Sequence, residues 1–167
     1  MLLYNGENVT RIGHAVQWEM AREERVKPHQ IELEINEQLF MDPDIGCEDQ
    51  MRRLREYGFR IALDDFGTGY SNLGYLKKFE VSTLKIDQSF VRGILTSKRD
   101  ASVIRAIIDM ARSFDLETIA EGIETEAELA ILKGLNCEFA QGYLWCPALP
   151  APVFAERYLQ HEGASTH

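Results

Sequence analysis

Two adjacent carboxylates, Asp64 and Asp65, directly follow a largely apolar segment with the composition of a strand, residues 59–63. Two unit charges about 4 Å apart repel by about 4 kcal/mol at an effective dielectric constant of 20. A divalent cation removes that repulsion and uses both carboxylates as ligands. Gly67 and Gly69 follow, and glycines allow the backbone turns that such a site needs. The pair therefore favours a metal site; a plain strand-ending turn, in which Asp is common, is the alternative.

Further polar residues stand at or near the ends of the other segments that have a strand pattern. In barrels of alternating strands and helices, reactive side chains lie at the carboxyl ends of the strands and converge on one mouth. Carboxylates there suit Mg²⁺ or Mn²⁺ and phosphoryl chemistry, in which a bound water becomes the nucleophile. A lysine there could hold that water or neutralise developing charge. The residues in question are Glu34, Lys85, Glu121 and Gln141, together with the aspartate pair.

Each of these four residues has a simpler explanation when it is taken alone. Glu34 would be a surface carboxylate, and Lys85 a lysine whose aliphatic stem lies along apolar surface. Glu121 would be a charge at the start of a helix, where it interacts favourably with the helix dipole. Gln141 would belong to a turn. Their common order and spacing, rather than any single residue, favours one shared site.

The segments that position these side chains alternate between strand and helix patterns. Strands are predicted at residues 31–35, 59–63, 82–87, 117–121 and 137–141, with a short stub at residues 1–4. Helices are predicted at residues 10–25, 71–79, 100–114 and 151–159, in a segment that ends at Gly58, and from a capping box that begins at Thr125. This alternation indicates a parallel α/β fold, either an open doubly wound sheet or part of a barrel.

Length and composition limit the classes of protein to consider. The 167 residues suit one domain, and the net charge of −9 argues against non-specific binding to DNA or to an anionic membrane. Three widely spaced cysteines suit neither a disulfide framework nor a zinc site, which indicates a reduced, cytoplasmic setting. The sequence also lacks an apolar run of about 20 residues, so we expect no membrane contact by this chain.

Four stretches, in order, resemble the signature motifs of the EAL family of cyclic di-GMP phosphodiesterase domains. They are ALDDFGTGYSNLGYL (62–76), LKIDQSFV (84–91), AEGIET (120–125) and AQGYL (140–144). The resemblance covers roughly residues 28–158 and implies a TIM-like (β/α) barrel of the EAL type. The opening segment with the Glu-Ala-Leu triplet is absent, so the barrel is expected to lack about two strands at the N-terminus. On this reading, residues 1–27 are a remnant strand and helix, 28–160 the well-matched barrel portion and 161–167 a frayed tail.

The resemblance also implies roles for individual residues. Glu34, Asp64 and Asp65 fall on metal ligands of a two-metal Mg²⁺ or Mn²⁺ site. Lys85 falls on the lysine near the catalytic water, and Glu121 on the glutamate credited as general base or metal partner. The remaining matched positions support the site or the loop after Asp65, and they are Gln141, Glu37, Glu124, Gly67, Thr68 and Gly69.

Two departures from the family pattern concern the metal site. The glutamate of the Glu-Ala-Leu triplet is missing, and the metal-binding asparagine of the next strand falls near Leu2, with Asn5 as a possible substitute. Asn36 stands where the family usually has threonine, a change expected to have little effect.

The resemblance implies hydrolysis of cyclic di-GMP to linear pGpG, expected to be slow or absent in this chain because of the missing ligand. The alternative is an inactive EAL-like module that binds cyclic di-GMP or a partner protein. A homodimer, or upstream sensor or GGDEF-type domains in a parent protein, is the expected assembly.

Overall fold

The computed structural model describes residues 2–5, 26–36, 47–68, 76 and 81–159. Six parallel strands form one sheet in this part of the chain. Neighbours in the sheet follow chain order from β1 to β6 without a reversal, which is the order of a barrel; doubly wound sheets reverse at a switch point. The strands are β1 Leu2–Asn5, β2 Ile31–Asn36, β3 Arg60–Phe66, β4 Thr83–Ile86, β5 Glu117–Ala120 and β6 Phe139–Ala140.

The described part of the sheet is thus an incomplete TIM-like barrel, with β1 and β6 as its edges. All six predicted strands are present, including the stub. Two bounds differ clearly: β3 continues past the aspartate pair to Phe66, and β6 has only two residues. Pairing between Leu63 and Leu84 and between Phe66 and Ile86 keeps the end of β3 in the sheet. The sequence pattern of residues 59–63 could not predict this longer strand, because its end depends on pairing with β4.

The helices that cover the sheet agree with the predictions at four places and add one helix. A short helix at 88–93 was not predicted; it begins where the Asp87 side chain accepts a hydrogen bond from Ser89 N. The predicted helices at 10–25 and 71–79 lie outside the described residues, apart from Leu76, and so does the tail at 161–167. The helices are α1 Cys47–Glu56, α2 Gln88–Gly93, α3 Lys98–Ser113, α4 Glu126–Gly134 and α5 Ala151–Phe154, which continues as a π-helical turn, Ala155–Leu159.

The two faces of the sheet differ in polarity, and this difference positions the site. Side chains at one set of alternate positions, among them Leu63, Leu84 and Ile86, join the apolar core with the buried stripe of α3. The other set carries Asp64 and Lys85. The second face points into the barrel, so polar groups there are enclosed rather than solvated. Lys85 is only 3% exposed.

The predicted capping box at the start of α4 is present and offers a first test of local stability. Thr125 Oγ1 accepts a hydrogen bond from Glu128 N, and Glu128 Oε2 accepts from the backbone N–H groups of Glu124 and Thr125 at 3.0 and 2.9 Å. Burial opposes ionisation of Glu128, but these bonds outweigh it and lower its pKa. We expect Glu128→Ala to lower the free energy of unfolding by about 1–2 kcal/mol, as for other lost caps.

The pH dependence follows from the direction of that pKa shift. Because the pKa is lower in the folded state, the charge of Glu128 stabilises the protein above the unfolded-state pKa of about 4.3 and loses that effect as the pH falls through the folded-state value. The difference in the free energy of unfolding between wild type and Glu128→Gln, measured in urea, should therefore be largest at neutral pH and decrease in acid. A difference that is constant with pH would contradict this.

Candidate functional site

The centre of the site is the buried ammonium group of Lys85, which contacts carboxylates from three other strands. Its Nζ lies 2.7 Å from Glu34 Oε1 at the end of β2, 3.0 Å from Asp64 Oδ1 on β3 and 2.7 Å from Glu121 Oε1 just after β5. The register places Ala62 beside Glu34, and its small side chain leaves room for this convergence. Parallel strands in sequential order have therefore brought four predicted residues to one mouth.

Gln141 joins the cluster from the end of β6. Its Nε2 donates to Glu121 Oε1 at 2.5 Å, and its backbone N–H donates to Ala120 O at 2.9 Å. Gly142 makes this approach possible, because a Cβ there would lie 2.1 Å from Ile123 O. The glycine thus lets the chain after β6 pass against the chain after β5, and this contact holds Gln141 next to Glu121.

Asp65 is oriented differently from its neighbour Asp64. The pairing of β3 with β4 shifts between Leu63 and Phe66, and Asp65 has a left-handed backbone with a φ of 56°. Asn36 Nδ2 donates to Asp65 Oδ2 at 2.7 Å. Such an irregularity changes the direction of a side chain. It explains how Asp64 and Asp65, whose side chains would point to opposite faces of a regular strand, both influence the same site.

The loop after Asp65 begins with Gly67 and Thr68. Gly67 has a φ of 94°, which favours glycine, and a Cβ there would lie 3.2 Å from the side chains of Ile107 and Phe90. Thr68 donates to Asp65 O from both its backbone N–H, at 3.3 Å, and its hydroxyl, at 2.8 Å. The turn therefore starts in a defined conformation; Gly69 and the rest of the predicted loop lie outside the described residues, as does Glu37.

The electrostatics show an excess of negative charge. Burial raises the pKa of Glu34 and of Glu121, and the opposing attraction of Lys85 does not fully offset it. Burial and repulsion from Asp64 and Asp87 likewise raise the pKa of Asp65. Burial alone would lower the pKa of Lys85, but its contacts with the carboxylates outweigh that effect and raise it. Lys85 thus contacts three carboxylates, and together with Asp65 the set of four remains short of positive charge.

A divalent cation fits this chemistry. Glu34 Oε1 and Asp64 Oδ1 are buried, and apart from the Lys85 ammonium, at 2.7 and 3.0 Å, they have no hydrogen-bond partner among the described residues. Carboxylate oxygens of this kind are the ligands that Mg²⁺ and Mn²⁺ prefer. In the described part of the chain, no three His, Cys, Asp or Glu residues are already gathered as a metal site. A cation would therefore share its ligands with Lys85 or displace the ammonium from them.

Glu124 and Asn5 are two further positions that the sequence analysis singled out. Glu124 is exposed, and its backbone N–H donates to Glu128 at the start of α4. Asn5 is the residue considered as a substitute for the metal-binding asparagine of the family. The register of β1 with β2 pairs Asn5 with Glu34, whereas Leu2 pairs with Ile31 at the other end of the strand. The backbone therefore brings Asn5, rather than Leu2, to the level of Glu34.

A second polar cluster at the amino ends of the strands was not predicted. Arg60 contacts Glu117, lies 3.3 Å from Glu32 Oε1, and donates to Thr83 Oγ1 at 3.3 Å. Thr83 Oγ1 in turn donates to Glu32 Oε1 at 2.6 Å. The sequence signal was a polar residue at the first inward position of each of the four strands from β2 to β5. Residues at this end of a barrel usually contribute to stability, and this cluster lines one end of a cavity of about 370 Å³ that reaches Gln141.

Comparisons with known proteins agree with the fold and with the motifs. Residues 8–148 match the model of the EAL domain family. Cyclic di-GMP phosphodiesterase NbdA from Pseudomonas aeruginosa is 42% identical over 126 residues, which cover 75% of this chain and 16% of NbdA. The chain therefore belongs to the EAL family. It spans about a sixth of the length of the curated relatives it matches.

Solved structures resemble the chain closely. The PaMucR phosphodiesterase, in complex with c-di-GMP, has a TM-score of 0.83 and 31% identity, covering 91% of this chain and 62% of its own. The manganese and cyclic di-GMP complex of BlrP1 from Klebsiella pneumoniae has a TM-score of 0.65 and 31% identity, covering 80% of this chain and 35% of its own. The predicted TIM-like barrel of the EAL type is thus confirmed, and metal complexes occur among its neighbours.

No helix in the described residues is both long and apolar enough to cross a membrane. Cys137 and Cys146, the cysteines whose side chains are described, are free thiols.

Proposed function

We propose that this chain is an EAL-type domain specific for cyclic di-GMP, whose reaction is the hydrolysis of this nucleotide to linear pGpG with Mg²⁺ or Mn²⁺, at a rate that we expect to be low for these 167 residues alone. The observation that carries the proposal is the contact of buried Lys85 with carboxylates from three different strands at one mouth. Two relatives support cyclic di-GMP as the substrate. NbdA is named as a cyclic di-GMP phosphodiesterase, and PaMucR is a phosphodiesterase whose structure was solved in complex with c-di-GMP.

In this proposal the chain's own residues divide the work as follows. Glu34, Asp64 and Asp65 would hold the cation, which when bound would make water nucleophilic near neutral pH and offset phosphate charge. Glu121 takes a proton from the attacking water, and its raised pKa suits a general base. The water oxygen bonds to phosphorus as the bond from phosphorus to the 3′ oxygen breaks, which opens the ring; the departing 3′ oxygen stays on its ribose and takes a proton from solvent. Lys85 neutralises charge that develops on the phosphoryl group.

The remaining residues support these groups. Gln141 orients Glu121 through its 2.5 Å hydrogen bond. Gly67, Thr68 and Gly69 shape the loop after Asp65, with Glu37 and Glu124 as further supporting residues. We also propose a cytoplasmic location and either a homodimer or an arrangement downstream of sensor or GGDEF-type domains; neither DNA nor a membrane is proposed as a partner.

The alternative is a module that binds cyclic di-GMP, or a partner protein, without turnover. Its supporting observation is that Lys85 already contacts three carboxylates, while no trio of ligands is gathered for a metal in the described residues.

The test compares wild type with Asp64→Asn in calorimetric titrations with Mn²⁺ and in assays for pGpG formed from cyclic di-GMP. Loss of one carboxylate ligand should weaken Mn²⁺ binding at least as much as the roughly 10- to 100-fold typical of changes in groups that merely support a ligand. Asp109→Asn is the matched control, because this aspartate is 64% exposed on α3 and should leave Mn²⁺ binding unchanged.

The outcomes separate the candidates. Product formed by wild type and lost in Asp64→Asn supports the phosphodiesterase, whereas nucleotide binding without product supports the binding module. The same Mn²⁺ affinity in wild type and Asp64→Asn would contradict the proposed metal site. Absence of both metal and nucleotide binding would overturn both candidate functions.

A further inference from the structure

The side chain of Asn36 makes a short contact with one of the two adjacent aspartates. Asn36 is the last residue of β2, and its Nδ2 lies 2.7 Å from Asp65 Oδ2 in a partly buried setting. An ionised carboxylate only accepts hydrogen bonds, so the amide nitrogen must face it and the amide oxygen must face away. The orientation of the Asn36 amide is therefore determined by Asp65.

Asp65 needs such a partner because its backbone has left the regular strand. Its φ is 56°, in a region that few residues other than glycine adopt, and the register of β3 shifts around it. Thr68 holds the carbonyl group of Asp65 through two hydrogen bonds. Asn36 holds the other end of the residue, its carboxylate, so that backbone and side chain are both restrained.

The type of partner matters as much as its position. Asp65 lies near the negative charges of Asp64 and Asp87, and Lys85 already serves three other carboxylates. An arginine or lysine at position 36 would neutralise Asp65. A neutral amide restrains one oxygen and leaves the net charge of the carboxylate available to a cation.

We propose that Asn36 is a positioning residue for Asp65, holding Oδ2 so that the carboxylate is oriented toward a divalent cation in the mouth of the barrel. The inference rests on the proposed function, in which Asp65 is a metal ligand. It replaces the expectation that asparagine at this position has little effect: the amide reaches across from β2 to β3 and contacts Asp65 directly.

The test measures Mn²⁺ affinity of the full chain by calorimetry. Asn36→Leu keeps the approximate shape of the side chain but removes the donor, and we expect it to weaken Mn²⁺ binding by about 10- to 100-fold. Gln50→Leu, which removes an exposed amide on α1, is the control and should bind like wild type.

A double-mutant cycle with Asp65→Ala distinguishes positioning from general packing. If Asn36 acts through Asp65, Asn36→Leu should cause no further loss of affinity once the Asp65 carboxylate is gone. Equal affinities for wild type and Asn36→Leu, or an undiminished further loss in the Asp65→Ala background, would overturn the proposal while leaving the metal site intact. Absence of Mn²⁺ binding by wild type would overturn the proposed function and this inference with it.

Discussion

Replacing Lys85 with methionine is expected to lower the free energy of unfolding by about 3–5 kcal/mol, the usual cost of removing one partner from a buried ion pair. The Lys85 side chain is 4% exposed, and the side chains of its partners Glu34, Asp64 and Glu121 are at most 17% exposed. Methionine preserves most of the volume but leaves three carboxylates repelling one another. Urea unfolding of the whole chain without added metal measures the change.

Added Mn²⁺ should restore more stability to Lys85→Met than to wild type, because a cation can replace the lost ammonium charge. Lys98→Met is the matched control: this lysine is exposed in the first turn of α3, and its replacement should change stability by no more than about 0.5 kcal/mol. Unfolding of Lys85→Met at the same urea concentration as wild type would show that the carboxylate cluster does not depend on Lys85.

Replacing Gly142 with alanine is expected to lower the free energy of unfolding by about 3 kcal/mol, at the upper end of the usual cost of inserting atoms into a packed region. The new Cβ would lie 2.1 Å from Ile123 O and 2.3 Å from Ile123 N, so the backbone has to move. Ile123 N donates to Gln141 O at 3.2 Å, and Leu144 N donates to Ile123 O at 2.9 Å. A shift there breaks both bonds and draws Gln141 away from Glu121.

Gly134→Ala provides the comparison for this substitution. Gly134 is the last residue of α4, and a Cβ there would meet no atom within 4 Å. Alanine at that position should be neutral or stabilise by up to about 1 kcal/mol through its helix propensity. Equal free energies of unfolding for Gly142→Ala and Gly134→Ala in urea would show that stability does not depend on the close approach at Gly142.

Local patterns predicted the elements well, because the features that define them lie within a few residues. Alternation placed β2, and the capping box placed the start of α4. The polar residues at strand ends also predicted that Glu34, Asp64, Lys85 and Glu121 would meet, since sequential parallel strands end at one edge. The roles proposed for these residues in metal binding and hydrolysis remain predictions.

Long-range pairing accounts for what local patterns missed. The Arg60 cluster joins residues that are 23 to 57 positions apart, and the bond from Asn36 to Asp65 spans 29 positions. No short sequence pattern contains either pairing. The short helix α2 was missed as well, although its Asp87 cap is a local signal.

The sequence by itself determined which residue types stand at the strand ends, and its motifs determined the family. The tertiary structure decided which partner each of the two consecutive aspartates contacts: Asp64 contacts Lys85, and Asp65 accepts a hydrogen bond from Asn36. A regular strand would direct consecutive side chains to opposite faces. The register shift between Leu63 and Phe66 and the left-handed backbone of Asp65 change that direction, and both depend on how β3 pairs with its neighbours in the sheet.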